Sequence, residues 1–125
     1  MKVVSINTVC NGSTGKIVGS ISSSLIESGE EAFCIYGRRK GYANIPCKKI
    51  GGFFSFWYHV FITTVFDLHG HGSYFKTKKI VRELKKFNPD IIHLHNIHGY
   101  YINYKVLFDY LKNEFQGRVF WTLHD

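Results

Sequence analysis

The sequence predicts an α/β domain, a three-layer sandwich with helices on both faces of a mostly parallel sheet. Two observations carry this. Along the chain, strand-like apolar runs alternate with segments of helical periodicity. The second strand also arrives after a single helix, the arrangement of a right-handed parallel crossover. At 125 residues the chain is long enough for one core and reads as one domain.

Residues 2–7, KVVSIN, form the first strand and end in the turn-rich TVCNGSTG. The next segment is helical, with Ile17, Val18, Ile21 and Leu25 on one arc of about 100°, and Gly29 supplies its stop. EAFCIYG, residues 31–37, is the second strand. Residues 38–52 are basic and loop-like, with a short strand at 48–50. Residues 53–68 fit an amphipathic helix whose face holds Phe53, Trp57, Val60, Phe61, Thr64, Val65 and Leu68. Over residues 74–87, Ile80, Val81, Leu84 and Phe87 make an apolar arc opposite Lys78, Lys79, Arg82, Lys85 and Lys86. Asn88-Pro89 ends that helix before a strand at 90–95. A helix at 103–112, packed through Val106, Leu107, Tyr110 and Leu111, leads to a last strand at 118–123. The final residues, His124-Asp125, fall where a strand hands over to its functional loop. A domain of this class normally continues through another helix and strand, so the sequence reads as a fragment, a truncated frame or half of a split enzyme.

A hydrophobic content of 45% argues against disorder, and a net charge of +7 points to an anionic partner. Cys10, Cys34 and Cys47 are odd in number and lack C-x-x-C spacing, so they propose neither a disulfide framework nor a zinc knuckle, and a reducing cytosol fits. No signal-peptide pattern opens the chain, and the apolar run at 53–66 is too short for a bilayer span. No nucleic-acid-binding motif is present.

Three segments carry chemistry. PDIIHLHNIHGYY, residues 89–101, places His93 and His95 on one side of a strand, with His98 in the following loop. Imidazoles at i and i+2 can share a metal with a carboxylate such as Asp90 or Asp125, but histidines that pack and hydrogen-bond at a strand end are the favoured reading, and no metal is assigned. NGSTGK, residues 11–16, lies between the first strand and helix, where backbone N–H groups and the helix dipole favour an anion. It is not a Walker loop. The alternative is a tight turn with Ser13 or Thr14 as N-cap. WTLHD, residues 121–125, brings His124 and Asp125 to the same sheet edge if the strands are parallel, although Asp125 could instead cap a following helix.

Together with MKVVSINTVCNGSTGK and DLHGHGS, these segments resemble the amino-terminal domain of family-4 glycosyltransferases of the GT-B fold, nearest the bacterial exopolysaccharide, colanic-acid-type group. The resemblance implies a Rossmann-like domain and retaining transfer from a nucleotide sugar, without a required metal or other cofactor. It places Gly12, Ser13, Thr14, Gly15 and Lys16 near the donor diphosphate. His124 matches the histidine after the central strand that contacts the donor sugar, the catalytic assignment. His95, Asn96, His98, Tyr100 and Asp125 fall in the acceptor cleft, facing a saccharide or lipid-linked acceptor.

The carboxyl-terminal domain of such enzymes, with its nucleotide site and E-x7-E motif, has no counterpart in these residues. The expectation is a cytoplasmic acceptor-binding half that transfers no sugar alone. The basic face of residues 78–86 could hold it on the inner membrane surface. The alternatives are a non-catalytic subunit completed by a partner chain and a basic peripheral membrane-binding protein.

Overall fold

The computed structural model describes residues 1–39, 45–50, 60–61, 64, 73–99 and 101–124. In chain order they form β1 (Lys2–Val9), α1 (Ser13–Glu27), β2 (Glu31–Arg38), β3 (Cys47–Lys49), α2 (Tyr74–Phe87), β4 (Ile91–Leu94), α3 (Tyr104–Asn113) and β5 (Arg118–Trp121). The five strands make one all-parallel sheet in the order β3-β2-β1-β4-β5. This is the expected α/β sandwich. Its order reverses direction between β1 and β4, and in open α/β sheets that switch point opens a ligand crevice at the carboxyl edge.

Alternation along the strands divides the side chains between two faces. Val4, Ile6, Ile35, Ile92 and Leu94 share one face and form the main core with Ile80, Val81 and Leu84 of α2 and Leu107 and Tyr110 of α3. Each aliphatic side chain so buried contributes about 1.5–3 kcal/mol. The register pairs Ser5 with Cys34 and Asn7 with Tyr36, so these four turn to the opposite face. There Val18 of α1 packs with Cys10, Cys34 and Tyr36. His93, in register with Ser5, faces the same way.

The predicted face of α1 needs correcting. Its buried residues are Gly15, Val18, Gly19 and Ser22, whereas Ile17 is 48% exposed and Ile21 and Leu25 are half-buried. Small residues let the helix lie close to the chain leaving β1: a Cβ on Gly15 would stand 2.8 Å from the carbonyl carbon of Cys10. Gly29 ends the helix as expected, with φ near 82°. Its N–H donates to the Ile26 carbonyl at 3.0 Å and the N–H of Glu30 to that of Leu25 at 2.9 Å, the paired bonds of a Schellman ending.

Other boundaries move slightly. β1 and β2 run on to Val9 and Arg38, and β3 begins at Cys47 because Cys34 pairs with that residue. β4 and β5 are shorter than read, and α2 has the predicted limits. α3 starts at Tyr104 because Asn103 is its N-cap, the side chain accepting the N–H of Val106 at 3.1 Å. The helix predicted at 53–68 lies outside the described residues except at Val60, Phe61 and Thr64. Among the described residues no helix is long and apolar enough to cross a membrane.

Candidate functional site

The floor of the crevice is built on Asn7, fully buried near the end of β1. Its amide nitrogen donates to the Val9 carbonyl at 2.7 Å and to Thr14 Oγ1 at 3.2 Å. Its amide oxygen accepts the N–H of Asn96 at 3.1 Å. One side chain thus ties the end of β1, the first turn of α1 and the loop after β4. Beside it, Thr8 Oγ1 lies 2.8 Å from the carbonyl of Asn96 and 2.7 Å from that of His98. The Tyr101 hydroxyl donates to the Asn96 carbonyl at 2.9 Å.

Histidines form the wall. The rings of His93 and His95 are 4.0 Å apart, and His95 Nδ1 meets His124 Nε2 at 3.0 Å with the two rings nearly parallel. His93 Nε2 pairs with Thr122 Oγ1 at 2.8 Å, and Trp121 Nε1 donates to the His95 carbonyl at 3.0 Å. Burial, helped by the neighbouring His93 and His124, holds His95 down to about 4, and burial followed by His124 lowers His93. His95 is therefore neutral at pH 7, so one of the facing nitrogens in the His95–His124 pair donates and the other accepts. His95 Nε2 is buried without a hydrogen-bond partner, which favours placing the proton on Nδ1 and leaving a bare lone pair inside.

Of these groups, His95, Asn96, Trp121 and His124 line a cavity of about 280 Å³, together with His98, Phe108 and Leu123. Phe108 and Trp121 lie 6.0 Å apart between ring centres and give it an apolar side. Among the described residues its lining carries no carboxylate. The arrangement offers hydrogen-bond donors and acceptors beside an aromatic surface, a combination that suits a ligand with both hydroxyls and an apolar face.

The glycine loop lies on the other side of Asn7, which reaches it through Thr14. Gly12 occupies the N-cap of α1 with φ near 63°, and no side chain caps the helix. This corrects the reading of Ser13 or Thr14 as cap: both lie within the first turn, and Thr14 receives Asn7 instead. Two arginines leaving β2 reach this edge. A Cβ on Gly12 would stand 3.5 Å from Arg39 Nη1, and one on Gly99 3.9 Å from Arg38 Cζ.

The structure thus brings His95, Asn96 and His124 together and sets residues 12–16 at the amino end of α1, with Lys16 exposed. His98 is exposed and joins the site through its carbonyl. Tyr100 and Asp125 lie outside the described residues. The strand before His124, central in the resemblance, is the edge strand β5 of the described sheet. Sequence reading missed Asn7, Thr8, Arg38, Arg39, Trp121 and Thr122. Asn7 had a signal, a bulky amide at the end of a mainly apolar strand, and Trp121 and Thr122 lay within the WTLHD segment. Comparison with known protein families and with curated proteins returned no match to this chain.

Proposed function

We propose that this chain is the acceptor-side half of a retaining, nucleotide-sugar-dependent glycosyltransferase of bacterial polysaccharide synthesis. In this reading it works on the cytoplasmic side of the membrane and transfers no sugar without a nucleotide-binding domain, in the same polypeptide or in a partner chain. The observation that carries the reading is the His95–His124 pair beside Trp121 at the carboxyl ends of β4 and β5, tied across the neighbouring switch point to the glycine loop through Asn96 and Asn7. His124 contacts the sugar being transferred, and His95, Asn96 and His98 face the acceptor. Tyr100 and Asp125 belong to the same cleft by motif. Glycosyl transfer passes through an oxocarbenium-like state while charge grows on the departing diphosphate, so fixed dipoles and cations at the leaving group are worth most. The amino end of α1 and Arg39 supply these beside Gly12, with Lys16 in reach of solvent.

Saturation-transfer NMR with nucleotide sugars and free saccharides tests the reading. Weak binding of sugar protons that His124→Ala abolishes is expected, with no release of nucleoside diphosphate by the chain alone. Equal binding by the variant, or turnover by the unaccompanied chain, would sink it.

A second reading, peripheral membrane docking, is favoured by α2. Lys78, Lys79, Arg82, Lys85 and Lys86 are exposed beside Phe75, which is 83% exposed. Exposed cations next to an aromatic suit an anionic headgroup layer. Flotation with vesicles containing anionic lipid, lost on charge reversal at Lys78 and Arg82, is the expected result; flotation indifferent to lipid charge counts against it.

A further inference from the structure

The three cysteines, unrelated by spacing, meet in space. Cys34 of β2 and Cys47 of β3 are direct register partners, and the chain leaving β1 sets Cys10 against both. Cys10 Sγ lies 3.4 Å from Cys34 Sγ and 3.0 Å from Cys47 Sγ, and all three sulfurs fall within 4.8 Å of one another. These separations exceed the roughly 2 Å of a disulfide bond. Among the described residues this is the one group of three or more potential metal ligands close enough to share an ion.

We propose that Cys10, Cys34 and Cys47 form a binding site for a thiophilic d10 cation, Zn²⁺ or Cu⁺. Three sulfur donors with no oxygen donor select soft ions over magnesium, calcium or manganese. An ion about 2.3 Å from each thiolate holds sulfurs about 3.8 Å apart, so the two contacts of Cys10 need open by less than about 1 Å. Cys10 and Cys34 are buried while Cys47 is half-buried, which leaves a way in from solvent at one corner. Contact with the Cys10 sulfur, then burial, pushes the Cys34 thiol far up, so without an ion that thiol is protonated. Binding displaces the thiol protons to solvent, and the cation replaces them as the charge that stabilises thiolate. The amino end of α1 begins three residues after Cys10 and adds positive potential beside the resulting anionic complex. The site lies between β1, β2 and β3, on the opposite side of Asn7 from the histidine wall, and is independent of the glycosyltransferase reading.

The full chain, fully reduced and kept free of oxygen, is titrated with Zn²⁺ and separately with Cu⁺ against a chromophoric competitor. Thiol alkylation is then counted by mass spectrometry. The expected result is one equivalent of at least one ion per chain, protection of all three thiols together, and a higher melting temperature. Cys34→Ser and Cys47→Ser should each weaken that ion about 100-fold. Circular dichroism of each variant confirms that it is folded, and the conservative Cys47→Ala gives the same loss at a half-buried position should Cys34→Ser unfold the chain. Uptake of neither ion, protection of two thiols or fewer, or binding unchanged in the folded variants would overturn the proposal. So would a reduced protein that takes up no ion and in air forms a Cys10–Cys47 disulfide.

Discussion

The two sides of β1 make an informative comparison. Towards β2 and β3, α1 covers the sheet and the chemistry beneath it is a close-packed group of sulfurs. Towards β4 and β5, the same face carries imidazoles, and Phe120 of β5, in register with His93, is 50% exposed. Both regions use the same backbone frame, yet the sulfurs lie under a helix with only Cys47 half-buried, whereas the imidazoles lie beside an exposed edge strand with His95 buried and His93 half-buried. The difference shows that cover, rather than strand order, sets which chemistry a sheet edge supports. Thiols tolerate a dry site as small apolar groups, whereas imidazoles placed there lose their charge first.

The sharpest way to break this comparison is to remove the residue standing between the two sides. Asn7→Ala should cost about 2–4 kcal/mol in urea unfolding, because it strands the half-buried N–H of Asn96 and deprives the Val9 carbonyl and Thr14 of a donor. A cost below about 1 kcal/mol would mean that the two loops are not coupled through it.

Next in size is the response to acid. His95 has a folded-state pKa of about 4 against an ordinary 6.5, so between those values the unfolded chain binds more protons. Stability is then fully present above about pH 6.5 and falls as pH drops towards 4, by up to about 3 kcal/mol. Unfolding curves at pH 7 and pH 4.5 measure it, and His95→Gln should flatten the slope whatever it does to stability at pH 7. An unchanged slope would place the acid sensitivity elsewhere.

Smaller effects sharpen the contrast. Tyr101→Phe removes the hydroxyl bond to the Asn96 carbonyl and should cost about 1 kcal/mol by thermal unfolding. Thr122→Val removes the partner of His93 on the exposed side and should change stability by about 0.5 kcal/mol or less. Equal costs at Tyr101 and Thr122 would erase the distinction between inner and outer bonds.

How much of this was legible depended on whether local pattern or crossover geometry placed each residue. α2 could be read to its ends because a strong apolar arc runs into Asn88-Pro89, and Asn88 adopts the left-handed conformation that stops it. The face of α1 was misread because glycine and serine carry no hydrophobic signal, although close approach requires them there. His93 and His95 were visible as neighbours through the two-residue repeat, but their contacts with Thr122 and His124 come from a strand 29 residues away. The sulfurs lie 24 and 37 residues apart, separations set by how far the chain travels between parallel strands, so no spacing rule reports them. Arg38 and Arg39 looked like an ordinary basic loop until the end of β2 placed them beside two glycines.

The bond from Trp121 to the His95 carbonyl has a practical consequence. Its indole is half-exposed, forms part of the cavity wall and has its N–H fixed on the histidine strand. A molecule entering the cavity must change the polarity around that ring, so the site carries its own optical reporter. The sequence holds two tryptophans. Replacing Trp57 with phenylalanine would leave Trp121 as the single tryptophan, and with excitation selective for indole occupancy could then be followed by fluorescence without a label.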